Sequence, residues 1–214
     1  MFSPCKIKAL PFLALILCFA PSANAADAKQ GASLYPVCSA CHGPKGLGNR
    51  AMLGPKLAGQ DADYLLAQLR LFQSGARGSA QGDAQGRQMA AMSKGPQLSS
   101  DQALQDLVAY IGTFPNKAVP TSVEGDKDRG KGLYQTCAAC HGDRAQGLSQ
   151  MAGPRLQGQH DWYLLSQLKK YRAGQRGYAA DHHAGRQMRS MMGVLAKEAD
   201  YIDVVAYINT LSQE

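Results

Sequence analysis

The feature that most limits what this chain can fold into is that it is written twice. "VCSACHG" at 37–43 and "TCAACHG" at 136–142 stand 99 residues apart. The same offset pairs "GASLY" at 31–35 with "GKGLY" at 130–134, "GPKLAGQ" at 54–60 with "GPRLQGQ" at 153–159, and "YLLAQL" at 64–69 with "YLLSQL" at 163–168. "SGARG" at 74–78 faces "AGQRG" at 173–177, and "GRQM" at 86–89 returns at 185–188. The offset then drops to 97, where "VAYIGT" at 108–113 meets "VAYINT" at 205–210. Such a tandem duplication implies two copies of one small fold, and a feature kept in both copies is expected to serve that shared fold.

The stretch "NKAVPTSVEGD" at 116–126 carries Pro120 and no helical period, so it reads as the connection. The expected division is a leader over 1–25, a first domain over 26–116, a linker over 117–124 and a second domain over 125–214. Each copy has the same coarse layout. A short helix ends on the cysteine motif, a Gly- and Pro-rich loop follows, and a second helix begins after Asp61 or Asp161. A second loop holds the methionines, and a last helix, capped by Ser100 in the first copy, closes the unit. No stretch alternates as a strand would, so the fold class is all-α, with two tandem domains.

The N-terminus reads as a processing signal. Lys6 and Lys8 precede the apolar "ALPFLALILCFA", and Ala23-Asn24-Ala25 fits a small-x-small cleavage site. The apolar run is short for a membrane span, which disfavours an uncleaved anchor. Export to the periplasm with cleavage near Ala25 is the expectation.

Export makes the cysteines informative. Cys5 and Cys18 leave with the leader, and the other four, Cys38, Cys41, Cys137 and Cys140, all lie in the two motifs. Free thiols in an oxidising compartment need a use. A thioredoxin-like pair expects a βαβ context, which is missing here. A zinc site wants four ligands in a tetrahedron, and each motif offers three donors crowded into one short stretch. The remaining reading is c-type haem attachment, which C-x-x-C-H specifies directly. Two thiols bond to the haem vinyl groups and the next histidine, His42 or His141, reaches the iron. The small domains support it, because about ninety residues with long loops bury little core without a staple.

The formal charge of +7 then loses its apparent meaning. Removing the leader leaves 21 basic against 16 acidic residues, or +5, and four haem propionates bring the sum to roughly +1. There are no Lys/Arg runs and aromatics are 7% of the chain, so nucleic acid is not an expected partner.

The second axial ligand must come from farther along the chain. Methionine at that position raises the reduction potential and suits electron transfer. Candidates are Met89 and Met92 in the first copy, and Met188, Met191 and Met192 in the second; Met89 and Met188 are preferred, with Met92 and Met191 next. Met52 and Met151 recur close to the motif and read as loop or haem-edge packing. His160, His182 and His183 have no histidine counterparts in the first copy and read as surface or cap residues. Pro55 and Pro154 stiffen a loop whose backbone carbonyl could accept the motif histidine's other ring N–H. Arg77 and Arg176 recur and suit either haem propionates or solvent.

Together, two C-x-x-C-H domains in tandem, "GPKLAGQ" followed by "YLLAQL", and a distal methionine resemble the dihaem cytochrome c4 family over the whole mature chain. That resemblance implies two class I cytochrome c folds packed face to face, His42/Met89 and His141/Met188 at the two irons, and a periplasmic carrier of single electrons. Its implied partners are redox proteins: a quinol-oxidising complex or dehydrogenase as donor, a terminal oxidase as acceptor, with peripheral membrane association a property of such carriers. Competing functions are a haem enzyme, peroxidase or thiosulfate-oxidising, and an electron-accepting subunit of a dehydrogenase. Peroxidase chemistry needs an open iron position, which methionines in both copies argue against.

Overall fold

The computed structural model describes residues 25–211, so the expected leader over 1–25 lies outside the described residues except for Ala25. Among them, the first half contains α1 (Ala28–Leu34), α2 (Pro36–His42), α3 (Ala62–Ser74), α4 (Ala84–Ser93) and α5 (Asp101–Gly112). The second contains α6 (Lys127–His141), α7 (Asp161–Arg172), α8 (His183–Met191) and α9 (Glu198–Leu211). No strand forms among the described residues; two isolated bridges, Asn49 with Gly54 and Leu148 with Gly153, close matching turns.

One difference between the halves has a simple cause. The N-terminal helix runs unbroken through α6, whereas the first half splits it into α1 and α2 at Tyr35–Pro36. Pro36 has no N–H to continue the ladder and its ring crowds the preceding turn. Gln135 stands at the matching place in the second half.

Each half is held by its first helix crossing its last. Gly31 lies so close to α5 that a Cβ there would sit 1.9 Å from the Asp106 carbonyl oxygen, and one at Gly130 would sit 2.0 Å from that of Asp203. The buried Asp106 and Asp203 side chains accept from the backbone N–H groups of Asp27 (2.7 Å) and Asp126 (2.9 Å), fixing where each first helix starts. The last helices bury a stripe at helical spacing: Leu104, Leu107, Val108 and Ile111 in α5, and Tyr201, Val204, Val205 and Ile208 in α9. Each such side chain contributes about 1.5–3 kcal/mol through burial.

The methionine segments differ from the expectation of a loop. They are helices, α4 and α8. Asp83 caps α4 by accepting from the Gly86 N–H at 2.9 Å, which satisfies one of the amides left open at a helix start. The second helix begins where expected in the first half and one residue earlier than expected in the second. Asp61 caps α3 through the Tyr64 N–H at 2.8 Å, while α7 starts on Asp161 itself, with His160 in the cap position.

Candidate functional site

Each cysteine motif occupies the C-terminal turn of a helix, and the chain leaves it through a glycine at positive φ, Gly43 (78°) or Gly142 (79°). That exit folds the following loop back across the motif. Gly54 and Gly153 then approach so closely that a Cβ would lie 2.0 Å from the Cys41 carbonyl oxygen and 1.9 Å from that of Cys140.

The next residues hold the motif histidines. His42 and His141 are each 7% exposed. Nδ1 of His42 lies 2.8 Å from the Pro55 carbonyl oxygen, and Nδ1 of His141 lies 2.9 Å from that of Pro154. A carbonyl only accepts, so Nδ1 carries the proton. Burial pushes both imidazoles below their ordinary range, and the proline carbonyls oppose it only in part. Each ring is therefore neutral with the lone pair on Nε2, the form that binds a metal.

The four motif thiols are unbridged and half-buried. Burial, then the neighbouring Cys41, pushes Cys38 up to about 11; burial likewise raises Cys137, with Cys140 adding to it. The first thiol of each motif is thereby disfavoured as the thiolate that thiol–disulfide exchange uses. Among the described residues no group of three or more His, Cys, Asp or Glu is placed to hold a bare ion. Two thiols beside a neutral, pre-oriented imidazole do fit a covalently held haem.

Burial separates the candidate methionines in the first half, where Met89 is half-buried and Met92 exposed, but not in the second, where Met188 and Met191 are both half-buried. Met89 packs on the apolar cluster that Cys38 also touches, and Met188 on the cluster touched by Cys137. Met92 is 41% exposed, Met191 is half-buried, and Met192 is part of the core. Met52 and Met151 lie exposed in the turns closed by the two bridges.

The two halves meet through a set of paired side chains. Arg77 donates to Gln68 Oε1 in its own half (2.6 Å), and across the boundary to Tyr163 Oη (3.0 Å) and Gln167 Oε1 (3.2 Å). Arg176 mirrors it, donating to Gln167 Oε1 (3.0 Å), Tyr64 Oη (2.8 Å) and Gln68 Oε1 (3.2 Å). Both guanidiniums are buried over aromatic rings, Phe72 (4.4 Å) and Tyr171 (4.6 Å), all these partners are uncharged residues, and Arg176 Nε has no hydrogen-bond partner among the described residues. Two like charges without an anion make this a site short of negative charge.

The unrepeated histidines divide. His160 Nε2 is 2.8 Å from the Leu47 carbonyl oxygen in the other half, and its ring stacks on Trp162. His182 fills the cap position of α8 without a capping bond, and His183 is exposed beside Arg186. Gln60, Gln68, Gln159 and Gln167 carry much of the boundary and were not singled out from sequence. Their signal was present, since all four recur at the 99-residue offset.

A family model described as Cytochrome c matches residues 28–115 and again 127–212. A curated cytochrome c4 of Azotobacter vinelandii is 35% identical, with 95% of this chain and 99% of the relative covered. A thiosulfate dehydrogenase electron acceptor of Thiomonas intermedia is 33% identical over 80% of this chain and 77% of the relative. Among solved structures, reduced recombinant cytochrome c4 from Pseudomonas stutzeri superposes with a TM-score of 0.65 at 29% identity, covering 86% of this chain and 98% of that one.

Proposed function

The chain belongs to the cytochrome c family, in its cytochrome c4 branch, and from that premise we propose that it shuttles single electrons in the periplasm between a respiratory donor and a terminal oxidase. It is an electron-transfer cytochrome with two covalent haem c groups, one for each matched domain. The haem supplies a reversible one-electron couple when bound; the protein sets its ligation, burial and exposure.

In this reading Cys38 and Cys41, and Cys137 and Cys140, supply the thioether sulfurs. His42 and His141 present Nε2 to the irons, oriented by the Pro55 and Pro154 carbonyls. Met89 and Met188 supply the opposite ligands. Their support is placement, since each packs on the same apolar cluster as the first cysteine of its motif. Arg77 and Arg176 receive propionates, whose charge their neutral partners do not provide. Domains divided near 117–124 fit the same reading, because residues 115–126 carry no helix between α5 and α6.

The observation that carries the proposal is the repetition of one arrangement in both halves: a motif histidine with Nδ1–H donated to a proline carbonyl, and a methionine packed on the same apolar cluster as the motif's first cysteine. Met89 and Met188 would close the iron position that an enzyme needs open, which favours a carrier. The alkaline pyridine haemochrome assay tests it and should give two c-type haems per chain; one or none overturns it.

A second reading, an electron-accepting subunit of a dehydrogenase, is favoured by the relative named as a thiosulfate dehydrogenase electron acceptor. Co-purification from native membranes separates the two, through the identity of the partner recovered.

A further inference from the structure

The peptide group that orients each motif histidine is itself held by a glutamine from the other half. Pro55 C=O and Lys56 N–H belong to one amide. Its oxygen accepts from His42 Nδ1 at 2.8 Å, and its nitrogen donates to Gln159 Oε1 at 3.0 Å. Gln159 Nε2 returns a bond to the Lys56 carbonyl at 2.8 Å, closing a two-point clamp. The second half repeats this with roles exchanged. Pro154 C=O accepts from His141 Nδ1 at 2.9 Å, Arg155 N–H donates to Gln60 Oε1 at 3.0 Å, and Gln60 Nε2 donates to the Arg155 carbonyl at 2.9 Å.

We propose that Gln159 and Gln60 are crossed positioning residues: each sets the electron-donating strength of the motif histidine in the opposite half, and so the potential of the opposite haem. The inference rests on His42 and His141 being the iron ligands. Hydrogen bonds in series polarise one another. When Gln159 accepts from the Lys56 N–H, it draws electron density toward the Pro55 oxygen, and that oxygen accepts more strongly from His42. A histidine that donates a stronger Nδ1 bond is a more basic ligand, and a more basic ligand favours the oxidised iron.

The clamped peptide is well placed to transmit this. Lys56 is buried, and its Nζ donates to Asn116 Oδ1 (2.7 Å) and to the Lys117 carbonyl (2.6 Å). Lys56 is thus anchored by its side chain as well as its backbone, which limits how far the peptide can shift when one bond is lost. Gln159 Oε1 also accepts from its own following N–H, of His160, at 3.0 Å, which orients the side chain amide before the halves meet. Gln60 Oε1 does the same with Asp61 N–H at 3.0 Å.

The test uses the full two-haem protein with Gln159→Leu and Gln60→Leu. Potentials are assigned to each half by NMR contacts, and the Nδ1–H resonances of His42 and His141 are followed in the reduced state. Gln159→Leu should raise the potential of the first-half haem and shift the His42 Nδ1–H signal upfield, leaving the second-half haem unchanged. The expected change in the reduced-to-oxidised ratio at fixed potential is roughly two- to tenfold, the worth of one weakened hydrogen bond. Gln60→Leu should give the mirror result. Equal shifts in both haems, a shift confined to the glutamine's own half, or no shift overturns the proposal.

If Gln159→Leu fails to fold, Gln159→Glu keeps an acceptor for the Lys56 N–H and strengthens it. The His42 Nδ1–H signal should then move downfield while that of His141 stays; an unmoved His42 signal overturns the proposal. A His42→Ala variant isolates the underlying reading. If its first-half haem stays low-spin, the ligand assignment fails; if ligation is lost there while Gln159→Leu shifts nothing, only the crossed positioning fails.

Discussion

Arg176 reaches out of its own half to donate to the Tyr64 hydroxyl at 2.8 Å, and Arg77 does the converse to Tyr163 at 3.0 Å. The two halves therefore exchange equivalent bonds about an approximate two-fold relation. The glutamine clamps obey the same relation. The boundary is built from residues the duplication copied, and each copy finds its partner in the other.

Removing Arg176 distinguishes two accounts of its charge. If haem propionates complete the site, Arg176→Met leaves a buried anion unpaired and should cost about 3–5 kcal/mol of stability. It should also lower the potential of the second-half haem, and Arg176→Lys should restore only part of it, because the bidentate fork is lost. Thermal unfolding of the two-haem protein checks this. A rise in melting temperature would mean that the guanidinium is an unpaired charge.

The methionine assignment is open to a direct spectroscopic check. Met89→Leu and Met188→Leu should each remove the His/Met charge-transfer absorbance of one haem. Met92→Leu and Met191→Leu should leave it, consistent with the exposed position of Met92. Loss of the band in either of the latter pair would move the ligand three residues along its helix.

Asp161 gives the second half a pH dependence that the first half lacks, since Ala62 stands at the matching position. Its carboxylate is fully buried and accepts from the linker amides of Ser122 and Val123 and from the Trp162 N–H. Burial alone would raise its pKa, but these amide bonds outweigh that and hold it below the ordinary value. A depressed carboxyl contributes stability that is complete above the unfolded value of about 3.9 and is lost as pH falls through the folded value. Asp161→Asn should cost about 1.5–3 kcal/mol at neutral pH and flatten the acid limb of stability. Chemical denaturation measured from neutral pH downward checks both, with linker cleavage by protease as a local readout.

Two glycines in one helix make a matched pair. Gly130→Ala places a Cβ 2.0 Å from the Asp203 carbonyl oxygen, forcing α6 and α9 apart; it should cost about 1–3 kcal/mol. Gly132 has nothing within 4 Å of its would-be Cβ, so Gly132→Ala should gain about 0.5–1 kcal/mol from helix propensity. Denaturant midpoints of the two variants should therefore move in opposite directions.

Much of the fold and of the site is legible in the sequence. The motifs "VCSACHG" and "TCAACHG" name their chemistry because thiol, thiol and imidazole are needed at fixed short spacing on one helical turn. The all-α layout is legible because no stretch alternates as a strand would, while the apolar Tyr64, Leu65, Leu69 and Phe72 fall near helical spacing. The methionine segments read as loop because "GRQM" carries a glycine and few apolar residues; in α4 the Asp83 cap and packing on α3 outweigh that weak propensity.

The sequence by itself determined the duplication, the covalent haem chemistry, the helical class and the pairing of Cys38, Cys41, Cys137 and Cys140 in two motifs. These are local, and a one-dimensional pattern records local geometry directly. Only the tertiary structure decided that Gln159 serves His42, that Gln60 serves His141, and that Arg77 and Arg176 share partners across the boundary. Repetition made these residues visible as copies of one another, but a copied residue bonds within its own half or across to the other with the same letters. Which of the two occurs depends on how the folded halves pack, through backbone amides that every residue carries and no sequence pattern marks.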